Sequence, residues 1–387
     1  MKKRGLVVVG SGPAGVSAAE SFRRHDGSLP VTVLTADTES PYERPPLSKQ
    51  YLRGQDLDAD DIALHPRQWY GDSDVRIVAA TTVERVDPSA HTIIVDGDAW
   101  PYSSLVLACG AGPVPLPVPG GEHALQLRSL TDAARLRERC AQAASAVVVG
   151  AGFIGCEAAA SLALSGLAVT LVAPEQVPHA QRLGEQAGHR LLDLLRAAGV
   201  RYAGGVHVRA AGHNAVHLDN GVTVNTDVVL AATGVAPRGA LARDAGLNTR
   251  QGRIVVGADM STSAPDVYAA GDVALAHNDS AGRCLAVEHW QDAVDQGAIA
   301  GANAAGGSER WEAVPGFWST IGDATVKYHA WGDGYQQSRM IQRDNGFAIW
   351  YARDGATVGV LTHNADDDYD LGAALIAAGE APPVPTS

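Results

Sequence analysis

The chain has 387 residues, of which 46% are hydrophobic and only 5% aromatic, with a formal charge of −13. That length exceeds one ordinary core and asks for two or three domains, and the wealth of Gly, Ala and Val suits α/β layers better than an all-β sandwich. The acidic balance argues against nucleic acid or an anionic membrane as partner, and no stretch reaches the roughly 18 apolar residues of a membrane helix, so the expected location is cytoplasmic.

Leu6–Val9 reads as a buried strand that runs directly into a glycine turn, LVVVGSGPAG, with Gly10, Gly12, Pro13, Ala14 and Gly15. The apolar run is too short for a signal peptide. A helix from about Gly12 to Arg24 and a second strand, Val31–Leu34, follow. Asp37 lies about 22 residues beyond Gly15, near where an acid reads a ribose hydroxyl. Thr35 and Ala36 hold the strict strand-end positions, so a loop aspartate is an equal alternative. The proline-rich PYERPPLSK comes next, then β-like stretches around Val75–Val86 and Thr92–Val95. SLVLACGAGPVPLPVPGG, which includes Gly110, is a strand entering a Pro/Gly loop and marks a domain crossing.

Beyond it the spacing predicts a helix over Thr131–Ala144 and a second glycine turn, AVVVGAGFIG, with Gly150, Gly152, Phe153, Ile154 and Gly155. A strand over Ala168–Val172, a helix over Glu185–Ala198 and the strand of VVLAATGVAP, which holds Gly234, complete this region. STSAPDVYAAGD predicts a strand that stops at Gly271-Asp272, ahead of a helix from about Glu288 to Ala305. After Pro315 aromatics cluster, short alternating segments appear, and a helix covers Asp366–Ala378. The expected fold is α/β, with two Rossmann-like dinucleotide-binding domains and a small C-terminal α+β domain. The boundaries read as 1–112 with 237–312, then 113–236, then 313–387.

Each fingerprint has the form GxGxxG. The first glycine permits the tight turn, the second lets backbone approach a pyrophosphate, and the third lets helix pack on strand. The phosphates then rest on a helix N-terminus, where free N–H groups and the dipole favour negative charge. One copy is weak evidence. Two copies, each after a strand, point to two dinucleotides, with a flavin and a nicotinamide as the natural pair. Cys109, Cys140, Cys156 and Cys284 are far apart and form no CxxC, which argues against a zinc site and a redox dithiol. No metal is expected.

Together these motifs resemble the two-dinucleotide flavoprotein reductases of the pyridine nucleotide–disulfide oxidoreductase superfamily, in their order from residue 6 to about 320. PYERPPLSK, EHW (Glu288, His289, Trp290) and GFWS (Gly316–Ser319) look most like the ferredoxin reductases that feed oxygenases and cytochromes P450. The resemblance implies FAD on the first fingerprint, with Arg44, Pro45 and Lys49 along the flavin and Lys49 near the atom that receives hydride. It implies Glu157 as the counter-charge to Lys49, Gly271-Asp272 on the ribityl chain, and Trp318 near the flavin where the acceptor docks. The redox cysteine of the disulfide enzymes has no counterpart in YERPPLSK, so disulfide-reductase and peroxidase readings fall away. The usual acid at the nicotinamide-side strand end is Ala173 here, with Glu175 in reach. NADH is therefore favoured, while His179 and Arg182 keep NADPH open.

The implied reaction is hydride transfer from NAD(P)H to FAD, then single electrons to a 2Fe–2S ferredoxin, by a monomer or homodimer. The tail is acidic at Asp366, Asp367, Asp368 and Asp370, so docking falls to a local patch near Arg310, Lys327 or Arg339. Two alternatives stay open: an NADH-dependent flavoenzyme acting directly on a small molecule, and a flavoprotein that senses NADH without turnover.

Overall fold

Two parallel sheets, each opened by one of the glycine turns, organise the chain. The structure is a computed structural model that describes residues 4–54 and 57–383. It divides into two compact units. One takes in the chain up to Glu43, Asp58–Gly112 and Ala236–Pro315; the other takes in Arg44–Leu57, Pro113–Val235 and the chain from Gly316.

In the first unit, five parallel strands lie in the order Val267–Ala269, Ser104–Leu107, Leu6–Val9, Val31–Leu34 and Val75–Val78. Their side chains are almost wholly apolar because a parallel sheet is covered on both faces. From Leu6–Val9 the chain moves to one side, through helix Pro13–His25, and later fills the other. That reversal leaves a crevice at the carboxyl end of Leu6–Val9, where the first fingerprint lies. Helix Trp290–Ala304 packs along Pro13–His25 at unusually close range. A Cβ on Gly297 would meet the Ala14 backbone, with Cα at 2.9 Å, and one on Gly301 would meet Ala18 in the same way. A three-stranded antiparallel sheet and a four-stranded mixed sheet complete this unit.

The second unit repeats the scheme with four parallel strands in the order Arg201–Gly204, Ala168–Ala173, Ser145–Val149 and Val228–Ala231. Helix Phe153–Leu164 leaves the second fingerprint. Helix Leu130–Cys140 starts at a capping box, in which the Ser129 hydroxyl accepts from the Asp132 N–H and the Asp132 carboxylate accepts from the Ser129 N–H. It ends four residues before the predicted Ala144. Helix Ala180–Ala197 begins earlier than predicted, because a short first turn precedes Gly184, whose φ of 83° breaks the helical path. The unit closes with a five-stranded antiparallel sheet in the order Gly316–Ile321, Ala324–Ala330, Ala356–His363, Gly346–Arg353 and Gln337–Arg343. Helix Asp366–Ala378 lies on it and is stopped by Gly379 at a left-handed φ of 66°. Among the described residues no helix is long and apolar enough to cross a membrane.

Candidate functional site

The two fingerprints are built by the same packing solution. Gly10 has a φ of 113° and Gly150 a φ of 107°, conformations that side chains resist. A Cβ on Gly10 would strike the carbonyl of Ala108, and one on Gly150 the carbonyl of Ala232, each just past the neighbouring strand. The third glycines, Gly15 and Gly155, face the carbonyls of Gly10 and Gly150. They bring each helix down onto its turn. Gly152 is different, because a Cβ there would enter open space. Pro13 and Ala14 occupy the first positions of one helix, Phe153 and Ile154 those of the other. Neither helix has a side-chain cap or an acidic residue in its first turn. The unfilled N–H groups of both starts suit a phosphate, and the residues present therefore fit two dinucleotides.

Around the first fingerprint, Gly110 and Gly271 are both left-handed, at φ 65° and 76°. A Cβ on Gly271 would meet those of Ala14 at 3.0 Å and Ala293 at 3.5 Å, and its N–H donates to Gln296 Oε1 at 2.9 Å. Asp272 lies in the turn after strand Val267–Ala269. Arg253 ties this turn to the EHW segment, donating to the Asp272 carbonyl and pairing with Glu288. His289 stands at the N-cap position of helix Trp290–Ala304 without a side-chain bond to its backbone, and its Nδ1 lies 3.1 Å from Asp292 Oδ2. The Asp37 carboxylate is engaged locally. It accepts the Glu39 N–H at 3.2 Å and the Tyr42 hydroxyl at 2.7 Å.

In the second unit a buried polar network gathers around Glu157. Arg44 precedes a short 3₁₀ turn, Pro45–Ser48, which delivers Lys49. Lys49 Nζ lies 2.8 Å from Glu157 Oε2 and donates to the Pro45 carbonyl at 3.0 Å. Ser48 Oγ donates to the same carboxylate oxygen. The other oxygen, Oε1, accepts the Ser319 hydroxyl at 2.7 Å and the Thr320 N–H at 3.2 Å. Lys49 is 7% exposed, Glu157 4% and Ser319 0%. All four lone-pair positions of the carboxylate are filled, which is what allows a charge to stay there. Strand alternation then turns Trp318, one residue from Ser319, outward, at 41% exposure. The three residues expected to carry the chemistry thus belong to one connected structure. Ser48, Ser319 and Thr320 were not singled out from sequence, although SK and FWST stand in the motifs.

At the nicotinamide-side strand end, Ala173 is buried and Glu175 Oε1 accepts the Gln181 N–H at 2.8 Å. Gly234 is left-handed, at φ 101°, with open space where its Cβ would be. His179 is turned inward, stacked on Phe153 with ring centroids 4.0 Å apart. Burial, assisted by the Arg182 charge, pushes its pKa down to about 4, so it is neutral at physiological pH. Arg182 lies over Phe153, Phe317 and Tyr328. The cations proposed for docking are engaged within the chain. Arg310 pairs with Asp279, Lys327 with Asp366 at 2.8 Å, and Arg339 donates to the Pro383 carbonyl. All four cysteines are free, and burial raises the thiols of Cys109 and Cys140 to about 11 and that of Cys156 further.

The pattern characteristic of "Pyridine nucleotide-disulphide oxidoreductase" matches residues 4–297. The chain belongs to this family. It is 33% identical over 389 residues to the 5,5'-dehydrodivanillate O-demethylase ferredoxin reductase subunit of a Sphingobium species, covering 96% of this chain and 93% of that protein. It is 32% identical to the anthranilate 1,2-dioxygenase system ferredoxin–NAD(+) reductase component of Burkholderia cepacia, covering 97% and 95%. The crystal structure of the ferredoxin reductase for the CYP199A2 system from Rhodopseudomonas palustris superposes with a TM-score of 0.92 at 28% identity, covering 97% of this chain and 95% of that one. This oxidoreductase therefore has the two-dinucleotide α/β fold with a C-terminal domain.

Proposed function

We propose that this family member is an FAD-dependent reductase that takes hydride from NADH and delivers single electrons to a 2Fe–2S ferredoxin-type carrier of an oxygenase or cytochrome P450 system. The observation that carries the reading is the pair of uncapped glycine-turn helix starts in one chain, with the buried Lys49–Glu157 pair in the second unit. FAD, when bound, supplies the exchange between a two-electron donor and a one-electron acceptor. The chain's own part is positioning and charge. Gly10, Gly12 and Gly15 with the Pro13 helix start would hold the flavin's pyrophosphate, and Asp272 its polyol. Gly150, Gly152 and Gly155 would hold that of the nicotinamide dinucleotide. Lys49, oriented by Glu157, would favour the negative charge that arrives on reduction.

NADH is preferred because Ala173 at the strand end is apolar, His179 is buried and neutral, and the Arg182 guanidinium is engaged over Phe153, Phe317 and Tyr328. Trp318 is assigned to the exit of electrons, since it is the exposed aromatic on the strand that also grips Glu157. The test measures the two half-reactions separately by stopped flow, first reduction by NADH, then reoxidation by 2Fe–2S ferredoxins, quinones and oxygen. Trp318→Ala should leave reduction within about twofold and slow reoxidation by ferredoxin about tenfold. A variant slowed only in the NADH step, or a native protein for which no one-electron carrier outruns oxygen, would favour a flavoenzyme acting directly on a small molecule.

A further inference from the structure

Strand Gly316–Ile321, which carries Trp318, is an edge of the C-terminal sheet and pairs there with Ala324–Ala330. The register sets Trp318 opposite Lys327 and Gly316 opposite His329. Opposed residues of antiparallel strands share a face, and helix Asp366–Ala378 reaches the side chains of this one. Lys327 Nζ stands 2.8 Å from Asp366 Oδ1 and 5.5 Å from the centre of the Tyr369 ring, and His329 stacks on Tyr369 at 4.1 Å. A Cβ on Gly316, two residues before Trp318, would lie 2.9 Å from the Tyr369 hydroxyl. The first turns of the helix therefore border the exposed tryptophan.

The charge on this face is negative. Asp368, Gly372 and Ile376 form the buried stripe of the helix, which leaves Asp366, Asp367 and Asp370 exposed. Beyond Trp318 the strand turns back at Gly322-Asp323, and the Asp323 carboxylate is exposed as well. The cations of this face are held, Lys327 by Asp366 and Arg53 by Asp323. Asp367 and Asp370 have no cationic partner among the described residues. Asp367 stands in the first turn, where an acid meets the helix dipole. Asp370 lies beyond that turn, where aspartate is a poor helix former, and no contact within the chain accounts for it.

We propose that the Trp318 face receives a one-electron carrier whose own docking surface is basic, with Lys or Arg beside its redox group to meet Asp367 and Asp370. This rests on the reading that electrons leave at Trp318. Opposite charges steer the encounter and fix its orientation, whereas an acidic carrier meets like charge. Two carriers balance each turnover: NADH becomes NAD+ and a proton, and each carrier takes one electron.

Anaerobic stopped flow tests this on the flavin-loaded, NADH-reduced protein. The probes are cytochrome c, a basic one-electron acceptor, and lysine-acetylated cytochrome c, which keeps the haem and loses the charge. At about 20 mM salt the native protein should reduce cytochrome c about tenfold faster than the acetylated form, and about 300 mM salt should remove most of that advantage. Asp367→Lys with Asp370→Lys should slow cytochrome c reduction about tenfold at low salt and leave the NADH step within about twofold. Asp367→Asn with Asp370→Asn keeps the side-chain shape, should slow it about threefold, and decides the matter if the lysine pair melts lower. Glu84→Lys with Asp98→Lys changes the net charge equally at exposed acids of the first unit, and should leave the rate within about twofold. Native rates in the Asp367 and Asp370 variants, an equal loss in the Glu84 and Asp98 variant, or equal reactivity of the two cytochromes overturns the proposal. Trp318→Ala separates the two readings. If it leaves the cytochrome c rate unchanged, the exit assignment itself fails. If it slows transfer while the Asp367 and Asp370 variants do not, only the basic character of the partner is refuted.

Discussion

Glu157 shows how a charge is kept in an interior. Its carboxylate meets Lys49, Ser48, Ser319 and the Thr320 N–H, so neither oxygen lacks a donor. Glu157→Gln preserves the shape but leaves the Lys49 ammonium buried beside a neutral amide. The expected cost is about 3–5 kcal/mol of stability, and Lys49→Met on that background should recover most of it. Chemical denaturation of the native, single and double variants checks this; equal stability of all three would mean the pair is open to water. Lys49 and Glu157 were legible because each stands in or beside a recognisable motif. Ser48 and Ser319 were not, because a serine's meaning depends on a partner 109 or 162 residues away. The sequence offers His179 as a candidate partner for a 2′-phosphate, and burial against Phe153 makes it a neutral ring instead.

At the level of elements, the strands that lead into the two glycine turns were readable as apolar runs and the longer helices were placed, whereas strand Arg201–Gly204 and the short helices Arg67–Asp72 and Ala240–Asp244 were not. Boundaries moved where a local device intervened, as with the Ser129 capping box and the Gly184 break. The close contact of Pro13–His25 with Trp290–Ala304 was not readable. Glycine inside a helix looks only unfavourable until the facing backbone is known. Gly297→Ala places a methyl against the Ala14 backbone, which cannot swing aside as a long side chain would. It should cost about 1–3 kcal/mol and, because Ala14 belongs to the first fingerprint, lower the flavin retained per chain. Thermal melting and flavin absorbance measure both, and a variant with native melting and full flavin would show that the two helices separate freely.

Across the whole molecule the charge is −13, and the chain from Gly316 carries nine carboxylates against four cations. Those cations are engaged: Lys327 and Arg343 with Asp366 and Asp368, Arg339 and Arg353 with the carbonyls of Pro383 and Asp333. Electrostatic steering of an acidic carrier therefore has little to work with. Raising salt from about 50 to about 300 mM should leave the reoxidation rate by an acidic ferredoxin unchanged or up to about twofold faster. A steep fall measured by stopped flow would place docking on a basic surface elsewhere.

The grip of Ser319 and Thr320 on Glu157 also bears on the order in which the protein can form. Lys49 precedes Glu157 by 108 residues, and Ser319 follows it by 162. Closing loops of that size is slow, because their entropy is lost before the contacts form. During synthesis, Lys49 and Glu157 emerge long before the strand that completes their surroundings. Until Gly316–Ile321 leaves the ribosome, one oxygen of Glu157 must keep its water. The buried charge pair is thus among the last features to close, and maturation of the site marks the end of folding in the second unit.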